Sequence, residues 1–255
     1  MTFPVWIPLG PWRVHPHPVL EALAYAAGFR LYLSTRRTGR LSDPQNHSVI
    51  AGAIVGAALG SKILAWLVDP SLLWAHRLEP SFWLGGKTIV GGLLGGVIGV
   101  ESAKKTAGVG VSTGDDLTLP LIAGMAIGRV GCFLTGLSDN TAGLPTTLPW
   151  AVDFGDGVPR HPAPLYEALF LIALAAVLIA SRKRLPREGD RFKAFMIAYL
   201  SWRILADFWK PYPRPFLGLG AIQAAAVLGL LYYAPDLKRW IAGPHVKTAV
   251  GEASA

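Results

Sequence analysis

The chain has 255 residues, of which 52% are hydrophobic and 16% charged, and it carries a formal net charge of +8. An average soluble domain is about 25% charged, so this composition, with a mean hydropathy of +0.40, points to a polytopic membrane protein. The one cysteine, Cys132, excludes an internal disulfide framework, and the length suits a single domain.

Residues 1–20 contain no uninterrupted apolar core and no small-residue cleavage site, so no cleaved signal peptide is expected. Their prolines (Pro4, Pro8, Pro11, Pro16, Pro18) predict an interfacial arm, with Trp6 and Trp12 at headgroup level. A spanning helix needs roughly 20 mostly apolar residues. Seven stretches qualify, at about 18–35, 47–68, 85–103, 117–136, 163–181, 193–209 and 216–234. The third is rich in glycine, which permits close helix approach or a broken helix. The fourth follows Asp115 and Asp116, expected as its N-terminal cap and dipole partners. Residues 137–162 form the longest connection, rich in Gly and Pro, and a loop of that length is either functional or mobile. Asp153 and Asp156 flank Gly155 and are read as shaping a turn. The expected fold is therefore an all-α integral membrane domain over 1–240, with 241–255 a disordered cytoplasmic tail.

Loop charges orient it. Numbered alternately from the N-terminus, one set of loops holds five Lys and Arg and the other fourteen. That asymmetry is the positive-inside pattern and predicts an external N-terminus and a cytoplasmic C-terminus. The basic excess thus reports orientation and attraction to anionic lipid, not a nucleic-acid footprint.

Nine ionisable residues nevertheless lie in or at the edges of the spans: Glu21, Arg30, Lys62, Lys87, Glu101, Arg129, Glu167, Arg203 and Asp207. Each costs at least ~2.5–3.5 kcal/mol at a helix centre unless it is paired or wet. Arg30 and Lys62 are read as snorkelling to an interface, and Glu101 with Lys104 and Lys105 as marking a helix end. Arg129, Arg203 and the loop residue Arg160 fall at one depth, near the outer leaflet. Arginine keeps its charge and offers a planar fork that suits phosphate, so the arrangement suggests an anionic phospholipid ligand. Other readings stay open. Arg203 and Asp207, four residues apart, can neutralise each other; Arg129 can pair with Glu167, and Glu21 with Lys87. Cys132 reads as a small core residue, or as a thiol activated by Arg129. No group has metal-ligand spacing and no glycine-rich loop follows a strand, so neither metal nor cofactor is expected.

At these residues the chain resembles the prolipoprotein diacylglyceryl transferase family. Gly128-Arg129-Val130-Gly131-Cys132-Phe133 is similar to the opening of the family signature, G-R-x-G-N-F. His161-Pro162-Ala163-Pro164-Leu165-Tyr166-Glu167 is similar to its close, H-P-S-Q-L-Y-E. Tyr199 and Arg203 match a Tyr-x-x-x-Arg in the sixth helix, with Asp207 where the family carries an acid. Gly91 and Gly92 match a glycine segment that the family places after a histidine. The resemblance implies a multi-pass enzyme of the bacterial inner (plasma) membrane. Such an enzyme moves the diacylglyceryl group of phosphatidylglycerol onto the lipobox cysteine of a prolipoprotein and releases glycerol phosphate. It also implies that Arg129 and Arg203 hold the donor phosphate and that Tyr199 orients it. His161, Tyr166 and Glu167 would shape the entrance.

The chain departs from the pattern on the acceptor side. Val90 replaces the histidine before the glycines, Cys132 and Thr135 replace asparagines, Leu137 replaces a glutamate, and Glu21 stands near an early tyrosine. New polar candidates are Glu21, Lys87, Asp139, Arg160 and His161. A general base must reach the acceptor proton, and His161, Glu21 and Asp139 are the candidates, in that order. A phospholipid-dependent transferase with another acceptor, and a non-catalytic phospholipid-binding protein, are the two alternatives.

Overall fold

The computed structural model describes residues 2–37, 39 and 41–242. Arg40 and Lys247 of the inner basic set, and the expected tail from residue 243 onward, lie outside the described residues. An N-terminal hairpin, β1 (Ile7–Leu9) with β2 (Trp12–Val14), precedes α1 (Pro16–Thr35) and α2 (Asp43–Leu67). Two short helices follow, α3 (Pro70–His76) and α4 (Pro80–Leu84), then α5 (Ile89–Thr106) and α6 (Asp115–Thr135). A 3-10 turn (Gly136–Asp139) and a small hairpin, β3 (Val152–Asp153) with β4 (Pro159–Arg160), lead to α7 (Ala163–Ala180). The chain ends with α8 (Asp190–Ala206), a 3-10 turn (Asp207–Trp209) and α9 (Ala221–Ala242).

The seven long helices fall where the seven apolar stretches lie. By length and hydropathy alone, three are apolar enough to cross a membrane: the segments at 43–67, 115–139 and 163–180, with mean hydropathies of 1.8, 1.7 and 2.2. The others carry more charge or lie below that hydropathy. Glycine spacing explains the tightest packing. Gly52, Gly56 and Gly60 recur every four residues on α2, as do Gly91, Gly95 and Gly99 on α5. The two rows meet antiparallel, so closely that a Cβ on Gly95 would lie 2.2 Å from the Gly56 carbonyl oxygen, and one on Gly99 2.0 Å from that of Gly52. Helix association in lipid lacks a hydrophobic drive and depends on such close backbone approach. Helices α1 and α6 form a second pair, in which Gly28 faces the Pro120 carbonyl and Gly124 that of Ala24. The core lies among α6, α7, α8 and α9, where Leu171, Phe195, Met196, Tyr199, Leu200 and Ala226 are fully buried.

Several local expectations change. The N-terminal arm is a β-hairpin whose Phe3 packs on Phe133 and Phe154 at the end of α6, although Trp6 and Trp12 do face outward. Asp115 does not cap its own helix. Its carboxylate accepts from the N–H groups of Gly189 (2.8 Å) and Phe192 (3.0 Å), so it caps α8 across the fold. Asp116 pairs with Arg37 at 2.9 Å. Helix α5 starts only at Ile89, which leaves Lys87 in a loop. Lys62 does not reach for an interface; its ammonium donates to the carbonyls of Leu84 and Gly85 and ties down the turn before α5. The 137–162 connection is ordered by backbone bonds, including Gly143 N–H to the His161 carbonyl (2.9 Å) and Leu144 N–H to that of Trp209 (2.7 Å). Asp153 accepts from Gly155 (2.8 Å) and Gly157 (3.0 Å), the turn-shaping role expected of it.

The α2–α5 seam sets a test. Gly95→Val forces a side chain against the Gly56 backbone and is expected to cost about 1–3 kcal/mol, as overpacking does. Gly110→Ala, which points into open space, is expected to melt with the parent chain. Thermal unfolding in detergent, followed by circular dichroism, measures both; equal midpoints would mean that the seam tolerates a side chain.

Candidate active site

The C-terminal ends of α6 and α8 and the N-terminal end of α7 converge on one buried carboxylate. Glu167, in the first turns of α7, is 1% exposed. Its Oε1 accepts from the Tyr199 hydroxyl (2.6 Å) and pairs with Nη2 of Arg129 (2.9 Å). Its Oε2 pairs with Nη1 of Arg203 (2.8 Å) and lies 4.0 Å from the Lys210 ammonium. Arg203 turns its other nitrogen to Asp207 at 2.5 Å. All five charged groups are buried. Charges removed from water must be paired to be tolerable; Glu167 pairs with both arginines and Arg203 with Asp207, while Lys210 reaches only its 4.0 Å contact with Glu167. Yet three cations face only two carboxylates, which leaves one positive charge in excess. The Nε of both arginines is buried without a hydrogen-bond partner among the described residues. Burial, with Arg203 and Arg129 nearby, pushes the ammonium of Lys210, in the loop after α8, down to about 7.

A second polar group lies beside the first, at the start of α1. His17 Nε2 is 3.6 Å from Glu21, and its Nδ1 is 3.0 Å from Asp139. Glu21 pairs with Lys87 and accepts from the Tyr25 hydroxyl at 3.1 Å. Asp139 accepts from Thr141 at 2.8 Å. Cys132 stands between the groups, its sulfur 3.8 Å from Nη1 of Arg129.

Both groups border a cavity of about 1800 Å³ between the α1–α6 and α2–α5 pairs. Pockets for drug-sized ligands run to about 300–1,000 Å³, so this one accommodates something larger. Its walls are mostly apolar along the helices. Its end beside the carboxylate cluster is polar and carries His17, Glu21, Lys87, Arg129, Cys132 and Asp139, and charged groups such as Arg37, Glu101, Asp116 and Lys193 line its far end. Of the two arginines expected on the donor phosphate, only Arg129 lines it. Arg203 stands behind, its guanidinium taken up by Glu167 and Asp207. Tyr199 is fully buried with them.

The other expected residues divide. Glu21, Lys87 and Asp139 are brought together, and Glu21 with Lys87 forms the pair the sequence left open. His161 does not line the cavity. It meets the Tyr166 hydroxyl at 3.2 Å and stacks on Trp209, while Trp150 donates to that same hydroxyl at 2.8 Å. The first-ranked base is thus held in an aromatic cluster. Arg160 bonds Asp156 at 2.6 Å within the β3–β4 hairpin and holds that carboxyl below the usual carboxylate range. Gly91 is pressed against the Gly60 backbone, whereas Gly92 borders the cavity. Sequence reasoning missed His17 and Lys210. The i, i+4 spacing of His17 and Glu21 on α1 was the available signal for the first; Lys210 sits in a loop with no periodicity to mark it.

A sequence model described as prolipoprotein diacylglyceryl transferase matches residues 4–237. The chain belongs to the prolipoprotein diacylglyceryl transferase family. It is similar to the phosphatidylglycerol–prolipoprotein diacylglyceryl transferase of Bordetella parapertussis, with 32% identity across 97% of this chain and 93% of that one. The enzyme of the same name from Cupriavidus metallidurans is 33% identical, across 86% of this chain and 84% of its own. That from Nitratidesulfovibrio vulgaris is 31% identical across 80% of each chain. The residues that carry the family resemblance, Arg129, Tyr166, Glu167, Tyr199 and Arg203, are on or next to the buried carboxylate cluster. This member of the family has Cys132 where the signature has an asparagine, on the cavity wall.

Neutralising the central carboxylate tests the cluster. Glu167→Gln leaves Arg129, Arg203 and Lys210 facing one another, and breaking such a buried pair costs about 3–5 kcal/mol. Asp156→Asn, in an exposed loop pair, is expected to melt with the parent chain, since solvent screens such a pair. Unfolding midpoints in detergent compare them, and a Glu167→Gln midpoint equal to the parent's would show that the three cations do not depend on that carboxylate.

Proposed function

We propose that this chain transfers the diacylglyceryl group of phosphatidylglycerol to the cysteine thiol of a prolipoprotein, releasing glycerol phosphate. One observation carries the reading: Arg129 stands at one polar end of a large cavity with mostly apolar walls, backed by a buried cluster with one positive charge in excess. The apolar length suits two acyl chains and the polar end suits an anionic headgroup. The reaction forms a carbon–sulfur bond at the glyceryl carbon and breaks that carbon's bond to the phosphate ester oxygen. The electron pair leaves on the glycerol phosphate. Negative charge therefore grows next to the phosphate, where fixed cations act most strongly in a site closed to water. Arg129 meets that charge directly, with its fork. Arg203 and Lys210 act from behind, sharing Glu167 and so leaving Arg129 less neutralised than it would be alone with it. The acceptor thiol must lose its proton, and the His17, Glu21 and Asp139 group lies on the same wall.

The reading includes a setting. The charge asymmetry of the loops, fourteen against five, supports seven crossings with the N-terminus outside and the C-terminus in the cytoplasm, in the inner (plasma) membrane of a bacterium. Residues 1–240 act as one transmembrane domain. The site then opens at the outer leaflet.

Arg129→Ala is expected to lower kcat/KM by about 10²–10³, the range for losing one preorganised donor to developing charge, with the unfolding midpoint little changed. Release of glycerol phosphate from phosphatidylglycerol with a lipobox peptide measures it; full activity would reduce Arg129 to helix packing. The pH dependence carries a sign. Lys210 is protonated below about 7, so the excess charge is present there and fades as pH rises. The KM for phosphatidylglycerol is expected to climb from about pH 6 to about pH 8, and Lys210→Met is expected to flatten the profile. A steep profile in the variant would assign the titration to another group.

A further inference from the structure

Cys132 departs from the family signature, and the fold brings it to His17 and Asp139. A ligating atom from each, the His17 ring nitrogen, the Cys132 sulfur and an Asp139 carboxylate oxygen, all lie within 4.8 Å of one another. The three come from separate segments: the first turn of α1, the last turn of α6 and the 3-10 turn beyond it. Gly131 makes the meeting possible. A Cβ there would lie 2.8 Å from Leu20 Cβ and 3.9 Å from His17 Cα, so only glycine lets α1 close on α6 at this level.

The chemistry of the set is specific. From the structure we infer that His17, Cys132 and Asp139 bind one zinc-like divalent cation and leave a coordination position open to the cavity. One imidazole, one thiolate and one carboxylate, with a fourth position for substrate, is the arrangement of a catalytic zinc rather than a closed structural one. Bond lengths of about 2.0–2.3 Å put tetrahedral ligands roughly 3.3–3.8 Å apart, so gathering these side chains takes shifts of about an ångström. Two details fit. The Nδ1 of His17 is buried and has no hydrogen bond of acceptable geometry, although an Asp139 oxygen lies only 3.0 Å away. The far nitrogen of the same ring faces Glu21 at 3.6 Å, and a carboxylate behind a ligating histidine fixes its tautomer and orientation. The thiolate and carboxylate together balance the two charges of the ion, so the loaded site is itself neutral beside Arg129.

The inference extends the transferase reading and rests on it for the role of the open position. There the metal takes the acceptor cysteine as thiolate, and the thiol proton leaves to cavity water. The bound sulfur attacks the glyceryl carbon, the carbon–oxygen bond breaks, and the electron pair departs on the glycerol phosphate beside Arg129. The metal changes no oxidation state.

Cobalt substitution tests this without turnover. The full chain in detergent, stripped with chelator and titrated with Co²⁺, is expected to bind one ion with a thiolate-to-cobalt charge-transfer band that Zn²⁺ abolishes. Cys132→Ser is expected to lose the band. His17→Ala and Asp139→Asn are expected to weaken binding more than about 100-fold, and Glu21→Gln by about 10–100-fold, the range for an outer partner. Unfolding midpoints of the metal-free variants report their folding. No band in the parent chain, or a band that survives in Cys132→Ser, overturns the site. Adding N-acetylcysteine methyl ester to the cobalt form is expected to strengthen the band as a second thiolate enters. An unchanged spectrum overturns thiol capture, as does full transfer activity in metal-free protein. Both spectra as expected, without transfer to a lipobox peptide, would keep the metal site and defeat the transferase reading.

Discussion

Everything at this end of the helix bundle depends on how one carboxylate divides itself. Glu167 has two oxygens and serves two arginines, a tyrosine hydroxyl and, more distantly, a lysine. Those partners arrive from α6, α8 and the loop beyond α8. The carboxylate therefore fixes the relative positions of the helices as well as the charge of the site. Buried ionic groups give little net stability, since desolvation offsets the attraction. What they give here is placement, because Arg129 is held at the cavity wall by a partner that faces away from it.

The glycine seam does the complementary work. By removing side chains between α2 and α5 it draws them into one thin unit, and space remains between that unit and the α1–α6 pair. The apolar cavity is the result of that unequal packing. His17, Glu21, Lys87, Arg129 and Asp139 gather at one end of it, because α1 begins there, α6 ends there and the loop before α5 delivers Lys87. One cluster carries the excess positive charge and its neighbour the imidazole and carboxylates, a division that follows from which helix ends meet.

Much of this was legible in the chain. The seven long helices match the apolar runs because runs of that length have one stable form in lipid. Arg129, Glu167 and Arg203 stood out because charge in such runs demands a partner. What failed were matters of direction. The spacing could not show that Asp115 reaches across to cap α8, nor that His161 turns toward Tyr166 and Trp209 and away from the cavity. The pairing of Arg203 with Asp207 was visible at i, i+4, but its enclosure behind Glu167 was not, since that depends on where α7 sits. His17, Cys132 and Asp139 carried no shared spacing to betray them, because their meeting is made by tertiary structure alone.

The α2–α5 unit meets α1 through a weak latch. The Lys87–Glu21 pair links them, and that lysine side chain is 60% exposed. A pair so open to solvent contributes on the order of ~0–1 kcal/mol. The glycine seam therefore clamps α2 to α5 far more firmly than this pair ties α5 to α1, and the two helix pairs are the units between which the bundle gives most readily.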